Sequence, residues 1–398
     1  MKKILVISQY YYPEPFKVTQ ICEELVKKGN KITVLTGLPN YNFEDIPDNY
    51  KKGRKRKEII NGVEVIRVFE IARNKSLLRL ILNYITFMIC ACWQVLKLKK
   101  DYDIIFVYQL SPILMAIPGI LYKKLYKKPL YLYCLDLWPE SINNILKSKN
   151  NLCYKLVKLV STNIYKTADK ISVTSKPFFY YFEKEHGIDK NKLNYIPQSG
   201  DDSYLNLNLN NIDNNVIDFM FMGNIGLMQD IECILNAVEK IKDLKNYKVH
   251  FVGTGVYLEK AKDMVKEKKI QEFVEFHGYH PIEKMKGFYQ LADVCLLTLK
   301  GGSYVSQTMP VKLQGYMVVG KPVIGAIDGA AQEVINESKC GLCVNAGDWK
   351  GLASLLSEVI NNPESIKNMG ENGKEFYKEN FTSKKQVEKI LDTINQLS

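Results

Sequence analysis

No G-x-G-x-x-G follows the first apolar run of this 398-residue sequence, which removes the dinucleotide-binding fingerprint and with it an NAD-dependent reading. The single C-x-x-C, Cys340 and Cys343, has no second Cys or His pair at zinc spacing, and its Gly-Leu-Cys-Val setting reads as a strand. The nine cysteines are an odd number scattered among apolar positions, so they read as buried reduced thiols of a cytosolic protein. Histidine is scarce: of His186, His250, His277 and His280, only His186 lies in the first half. After two lysines the N-terminal apolar run is too short for a signal peptide and reads as a first strand.

Acidic residues are short in one half only. Residues 1–200 hold 33 Lys+Arg against 17 Asp+Glu, whereas the remainder holds 22 against 26. A one-sided positive field suggests a polyanionic partner, either nucleic acid or an anionic bilayer. The basic runs carry no interleaved aromatics on a recognisable module, which argues against nucleic acid. A coding bias toward Lys and Asn is the bland alternative, but it does not explain an acidic second half.

The chain is 46% hydrophobic and 25% charged, a globular composition, and its length suits two units. Strand-like runs at Ile4–Ser8, Lys31–Leu35, Val63–Phe69, Ile104–Tyr108, Leu130–Cys134 and Lys170–Thr174 alternate with helical patterns. A second series begins at Asp218–Met222 and continues through Lys248–Val252, Val274–His277, Val294–Thr298 and Lys321–Gly325. Such alternation implies parallel sheets with helices on both faces. An Asn-rich stretch at 204–215 is the linker candidate, and a polar helical tail follows the second series. We therefore expect domains at 1–203 and 204–375, with 376–398 as a helix crossing back to the first. Leu77–Leu98 is apolar enough to suggest a membrane span. Arg79, Asn83 and Gln94 within it favour a helix packed in the first domain, with one face dipping into the interface.

Several segments together resemble one family. They are Ser8-Gln9-Tyr10-Tyr11-Tyr12-Pro13-Glu14, Thr36-Gly37-Leu38-Pro39-Asn40-Tyr41, Asp136-Leu137-Trp138-Pro139-Glu140-Ser141, Gly223-Asn224-Ile225-Gly226 with Gln229, and Met309-Pro310-Val311-Lys312-Leu313 leading to Gly320-Lys321-Pro322. The sequence resembles the family-4 glycosyltransferases, and within them a bacterial capsule and O-antigen subgroup that includes N-acetyl-L-fucosamine transferases. The resemblance implies an α/β GT-B fold, two Rossmann-like domains whose parallel sheets face a central cleft. It also implies a UDP-sugar donor.

Residue roles follow from the resemblance and from local chemistry. The loop between first strand and first helix, with Glu14, Lys17 and Thr19, is a place where helix N–H groups favour an anion; a plain solvated turn is the alternative. Relatives often carry glycines there, and here Lys17 would supply the charge instead. Asn40 and Tyr41 join it as an acceptor or phosphate loop. Gly223, Asn224, Gly226 and Gln229 occupy the equivalent place in the second domain, with Gly253, Gly278, Pro310 and Glu333 completing the donor site. Relatives have Arg and Lys where this chain has Asn224 and Gln229, so Lys312 is the candidate for the missing charge; a surface lysine is the alternative. Gln307 and Gly315 stand where the family has paired glutamates, and Leu135 stands where it has a histidine. Asp136 is the candidate for orienting the acceptor, or else a cap for the following helix.

Transfer with retention is implied, with the leaving phosphate as base and with Asp136 and Lys312 as the catalytic candidates. No D-x-D motif with flanking apolar strands on both sides is present, so no metal and no cofactor are expected beyond the UDP-sugar co-substrate. The acceptor would be a polyprenyl-pyrophosphate-linked saccharide. The enzyme would sit in the cytoplasm, peripheral at the inner face of the cell membrane, where Lys51–Lys57 and the lysines at 123, 124, 127 and 128 could meet anionic lipid. A UDP-sugar 2-epimerase and a non-catalytic nucleotide-sugar-binding subunit are the competing readings.

Overall fold

The fold is that of a computed structural model describing residues 1–41, 45–74, 76–142, 151–207, 209, 212 and 214–398. The linker candidate at 204–215 includes positions 208, 210, 211 and 213, which lie outside the described residues. Two compact units divide the chain: Met1–Ile196 together with Gln386–Ser398, and Pro197–Lys385.

In the first unit the strands are β1 (Lys3–Ile7), β2 (Lys31–Thr36), β3 (Lys57–Ile60), β4 (Val63–Arg67), β5 (Ile104–Gln109), β6 (Leu130–Cys134), β7 (Lys170–Val173) and β8 (Leu193–Tyr195). They form one sheet in the order β3-β4-β2-β1-β5-β6-β7-β8. Strands β5 and β6 bury every residue, as parallel strands covered on both faces must. The strand β3 departs from the expected all-parallel sheet. It pairs antiparallel with β4 through Asn61 (φ 48°) and Gly62 (φ 82°), left-handed positions that match the twist of a two-residue hairpin. The basic run ahead of it is thereby a turn leading into an edge strand, with Lys51 held by Asp45 at 2.8 Å and Asp48 at 3.1 Å.

The second unit holds β9 (Ile217–Met222), β10 (Tyr247–Val252), β11 (Val274–Gly278), β12 (Val294–Thr298), β13 (Val323–Ala326) and β14 (Gly341–Val344), in the order β11-β10-β9-β12-β13-β14 and all parallel. Alternation along β9 and β10 feeds two cores. Phe219, Phe221, Val249 and Phe251 face one helical layer, and Met220, Met222 and Val252 face the other. As the sequence suggested, Cys340 and Cys343 frame a strand, and burial pushes both thiols up to about 11.

Helix Leu77–Val95 packs on the first unit by one face and leaves the other exposed, as its polar residues suggested. It buries Asn83, Phe87, Ala91 and Val95, and leaves Leu78, Ile81, Ile85, Ile89 and Trp93 exposed along the opposite stripe. The polar tail is divided between the units. Tyr377, of helix Met369–Asn380, joins the core of the second, while Val387, Ile390 and Ile394 of helix Ser383–Leu397 pack with Ile4 and Val6 in the first.

Candidate functional site

In the second unit, the carboxyl ends of β9 and β10 are brought together by two glycines. A Cβ on Gly253 (φ 143°) would stand 1.9 Å from the Gly223 carbonyl, so no side chain fits between these turns. Gly253 N–H in turn donates to the Gly278 carbonyl at 2.8 Å, tying the end of β11 to the same cluster. Gly223 itself has φ 118°, and a Cβ there would lie 2.7 Å from the Lys312 side chain. The predicted donor residues Gly223, Gly253, Gly278 and Lys312 are therefore assembled at one place.

Lys312 is the second residue of helix Val311–Val318, which starts after Pro310 in an extended conformation. Proline is well suited here because the first turn of a helix has no intrahelical use for its N–H. The Lys312 ammonium lies 3.7 Å from the centre of the Phe221 ring and is buried without a hydrogen-bond partner among the described residues. Burial alone brings it down from 10.5 to about 7. A desolvated ammonium held only by a ring face is poorly compensated. An anion arriving at the glycine turn would give it the missing partner, next to helix N–H groups that also favour negative charge.

The neighbouring polar residues are less committed. Asn224 and Gln229 reach one another at 3.5 Å above Gly226, where a Cβ would meet both side chains at 2.6 Å. Glu333 is exposed on helix Gly329–Ser338. Gln307, at a position where the resembled family has glutamate, packs its backbone against Gly329, whose added Cβ would stand 3.0 Å away.

In the first unit, Glu14, Asn40 and Tyr41 also come together, but as a closed structure. The Glu14 carboxylate accepts from the backbone N–H of Asn40 at 2.8 Å and from that of Tyr41, and burial raises it to about 7 against the opposing effect of those donors. The Asn40 amide donates to Glu70 at 2.7 Å; Gln9 donates to Glu70 at 2.8 Å and to Asn83 at 2.9 Å. Glu70 is fully buried and pushed well above the carboxylate range by desolvation. Gly37 faces it so closely that a Cβ would lie 2.1 Å from the carboxylate. Tyr41 packs edge-on to Tyr10 and Phe16, with the Arg73 guanidinium 4.5 Å over its ring. Lys17 opens helix Lys17–Lys27, whose start, including Thr19, has no side-chain cap.

Asp136 follows β6, and its carboxylate accepts from the Ser111 hydroxyl at 2.7 Å; the same hydroxyl accepts from the Trp138 indole at 3.0 Å. Burial raises Asp136 above its ordinary value. His186 is no part of a polar site. It is buried among Tyr165, Tyr181 and Phe182, bonded to Thr162 at 2.7 Å, and desolvation lowers it to about 4.

Sequence reasoning missed Gln9, Glu70, Asn83, Ser111 and Phe221 as partners of these residues. Gln9 lay inside a quoted motif, whereas Glu70 follows a run that already holds Glu64 and Arg67, so nothing beside it in the chain marks it as the buried one.

Comparison with known proteins bears on this assembly. Residues 207–376, most of the second unit, match the family described as glycosyl transferases group 1. WbjE, a probable glycosyltransferase of Pseudomonas aeruginosa, is 24% identical over 299 residues, 72% of each chain. WcaL, a putative colanic acid biosynthesis glycosyltransferase of Salmonella typhimurium, is 28% identical over 127 residues, 31% of each. Among solved structures, Anabaena HepE in complex with UDP and glucose aligns over all of both chains with a TM-score of 0.71 at 14% identity. At that identity the likeness establishes the fold, which is GT-B.

Proposed function

We propose that this chain, a group 1 glycosyltransferase of the GT-B fold, moves a sugar from a UDP-sugar to a lipid-linked saccharide at a membrane surface during polysaccharide assembly. The observation that carries the donor half of this reading is the buried, unbonded Lys312 ammonium beside Gly223. A diphosphate seated there would be held by that cation and by helix N–H groups, which also stabilise the charge developing as the sugar departs. In this reading the leaving phosphate takes the proton of the incoming hydroxyl, the configuration is retained, and no divalent ion takes part at the donor. UDP as the nucleotide is supported by the complex described for HepE, and polysaccharide assembly by the colanic acid biosynthesis named for WcaL. An N-acetylated deoxyhexosamine is the donor sugar suggested by the subgroup resemblance.

The acceptor half rests on the first unit's surface. Helix Ile117–Tyr126 packs beside both helix Leu77–Val95 and helix Leu152–Thr167. The outward side chains of this layer include Ile85, Ile89 and Trp93, then Leu125, then Leu152, Leu156 and Leu159. Exposed Lys124, Lys127 and Lys155 stand among them, and Lys97 lies 5.2 Å over the Trp93 ring. Apolar side chains rimmed by lysine suit the headgroup region of an anionic bilayer, at the inner face of the cell membrane. Helix Leu77–Val95 has the length and hydropathy of a span, 1.5 on average. Its Asn83, bonded inside the buried network at Glu70 through Gln9, ties it to the sheet.

The 2-epimerase reading is weakened by His186, which is buried and occupied by Thr162 and Tyr181. Incubation of the pure protein with UDP-sugars, with and without a polyprenyl-pyrophosphate-linked acceptor, separates the readings. Acceptor-dependent glycosylated product supports transfer. A changed sugar without acceptor would establish epimerisation, and binding without either would leave a carrier subunit.

A further inference from the structure

We propose a second site in this protein, a divalent d-block cation site of the zinc class formed by His250, Glu275 and His277. It does not depend on the donor reading. His250 of β10 and Glu275 of β11 are register partners, and His277 follows two residues later on the edge strand. A period of two puts all three on one face. Their ligand atoms lie within 4.8 Å of one another. His250 Nδ1 is 2.9 Å from His277 Nε2 and 3.7 Å from a Glu275 oxygen.

The surroundings already arrange these groups as metal ligands are arranged. Buried Asp218 lies 2.8 Å from His250 Nε2. A carboxylate accepts, so it holds the proton on Nε2 and leaves the Nδ1 lone pair facing His277, which is the role of the carboxylate behind many zinc-bound histidines. Asp218 is itself fixed by the Asn214 amide at 2.8 Å. The His277 ring is held too, stacked on His250 with centroids 5.1 Å apart and edge-on to Phe288 at 5.2 Å. Lys248 takes the other Glu275 oxygen at 3.2 Å and so leaves one oxygen for the ion. Burial grades from His250 through half-buried His277 to exposed Glu275, which leaves a side for entry and for a water as fourth ligand.

Without an ion, the two rings meet as donor and acceptor through a proton. Two Zn–N bonds at a tetrahedral angle would set the nitrogens about 3.3 Å apart, so a few tenths of an ångström of opening is needed. Two imidazoles and one carboxylate favour zinc over magnesium or calcium, which take oxygen ligands.

The experiment uses the full chain, stripped with chelator and titrated with zinc chloride against a chromogenic chelator, and with cobalt chloride read by visible absorption. One zinc per chain is expected, with tetrahedral cobalt bands. His277→Ala, at the half-buried edge of the cluster, should lose at least tenfold in affinity. Asp218→Asn should lose about 10- to 100-fold by loosening the His250 tautomer. Lys312→Ala should bind zinc as the wild type does, which separates this site from the donor reading. Zinc uptake that is absent, or that is equal in the wild type and in folded His277→Ala, would overturn the proposal.

Discussion

Loops at the carboxyl ends of the two sheets bury ionisable groups in opposite ways. In the first unit, Glu70 lies beneath Gly37 with donors from Gln9 and Asn40, and Glu14 takes the backbone N–H groups of Asn40 and Tyr41. In the second, Lys312 lies beside Gly223 over the Phe221 ring, with no hydrogen-bond partner among the described residues. A buried group with partners holds the fold together, whereas one without them costs stability unless a ligand supplies what is missing. Two loops, each with glycine after a strand, thus divide into a closed scaffold and, in the proposed reading, an open anion site.

The strongest way to break this contrast is to remove Lys312. Lys312→Ala should lower transfer on the order of 10²–10³-fold, as loss of one donor to a developing oxyanion does. Lys312→Met should behave similarly in turnover and yet raise the thermal midpoint of the ligand-free protein, because an uncompensated cation is gone. Its pH dependence has a definite sign. With the folded group at about 7 and the unfolded one near 10.5, the unfolded chain binds more protons between them, so ligand-free stability should rise from pH 7 toward 10 and the methionine variant should lose that rise. UDP affinity, measured by calorimetry, should fall over the same range as the ammonium is lost. A turnover near wild type in Lys312→Ala would remove this residue from the site.

Next in size is the closed side. Glu70→Ala leaves two buried amides short of an acceptor and should cost about 3 kcal/mol in urea unfolding, with UDP affinity unchanged. A change below about 0.5 kcal/mol would show that the network is not a scaffold.

A smaller effect tests where the first unit meets its surroundings. Ile89→Glu on the exposed stripe should weaken co-flotation with vesicles containing phosphatidylserine about tenfold, the scale of losing one buried aliphatic side chain, while leaving the thermal midpoint unmoved. Equal flotation by the variant would disconnect this helix from the membrane.

A last test concerns the pH dependence of Glu14. Its carboxyl titrates near 4.5 unfolded and about 7 folded, so its contribution is intact below 4.5 and is lost as pH rises through 7. Glu14→Gln should flatten that slope between pH 4.5 and 7.

Much of this architecture was legible beforehand, because buried parallel strands are continuous apolar runs bounded by turns. Each strand expected from such a run is present within two residues, and the resemblance points to Lys312 as the charge that Asn224 and Gln229 do not supply. The hairpin at Asn61-Gly62 went unread since its first strand, Lys57–Ile60, mixes charge with β-branched residues at an edge. Glu14 was assigned to a phosphate loop by its motif, and the chain alone does not show that its carboxylate turns inward to Asn40 and Tyr41. The cluster of His250, Glu275 and His277 was invisible for a similar reason. Strand pairing brings together residues more than 20 positions apart, each within an ordinary apolar run.

The amino-acid order by itself determined the two α/β units, their strand sequence and the glycines at which backbones must approach, because those depend on local periodicity and on steric limits of single residues. Only the tertiary structure decided which charges have partners. Compensation of a buried charge depends on groups brought from other strands, and neither Lys312 nor Glu70 carries that information in its neighbours along the chain.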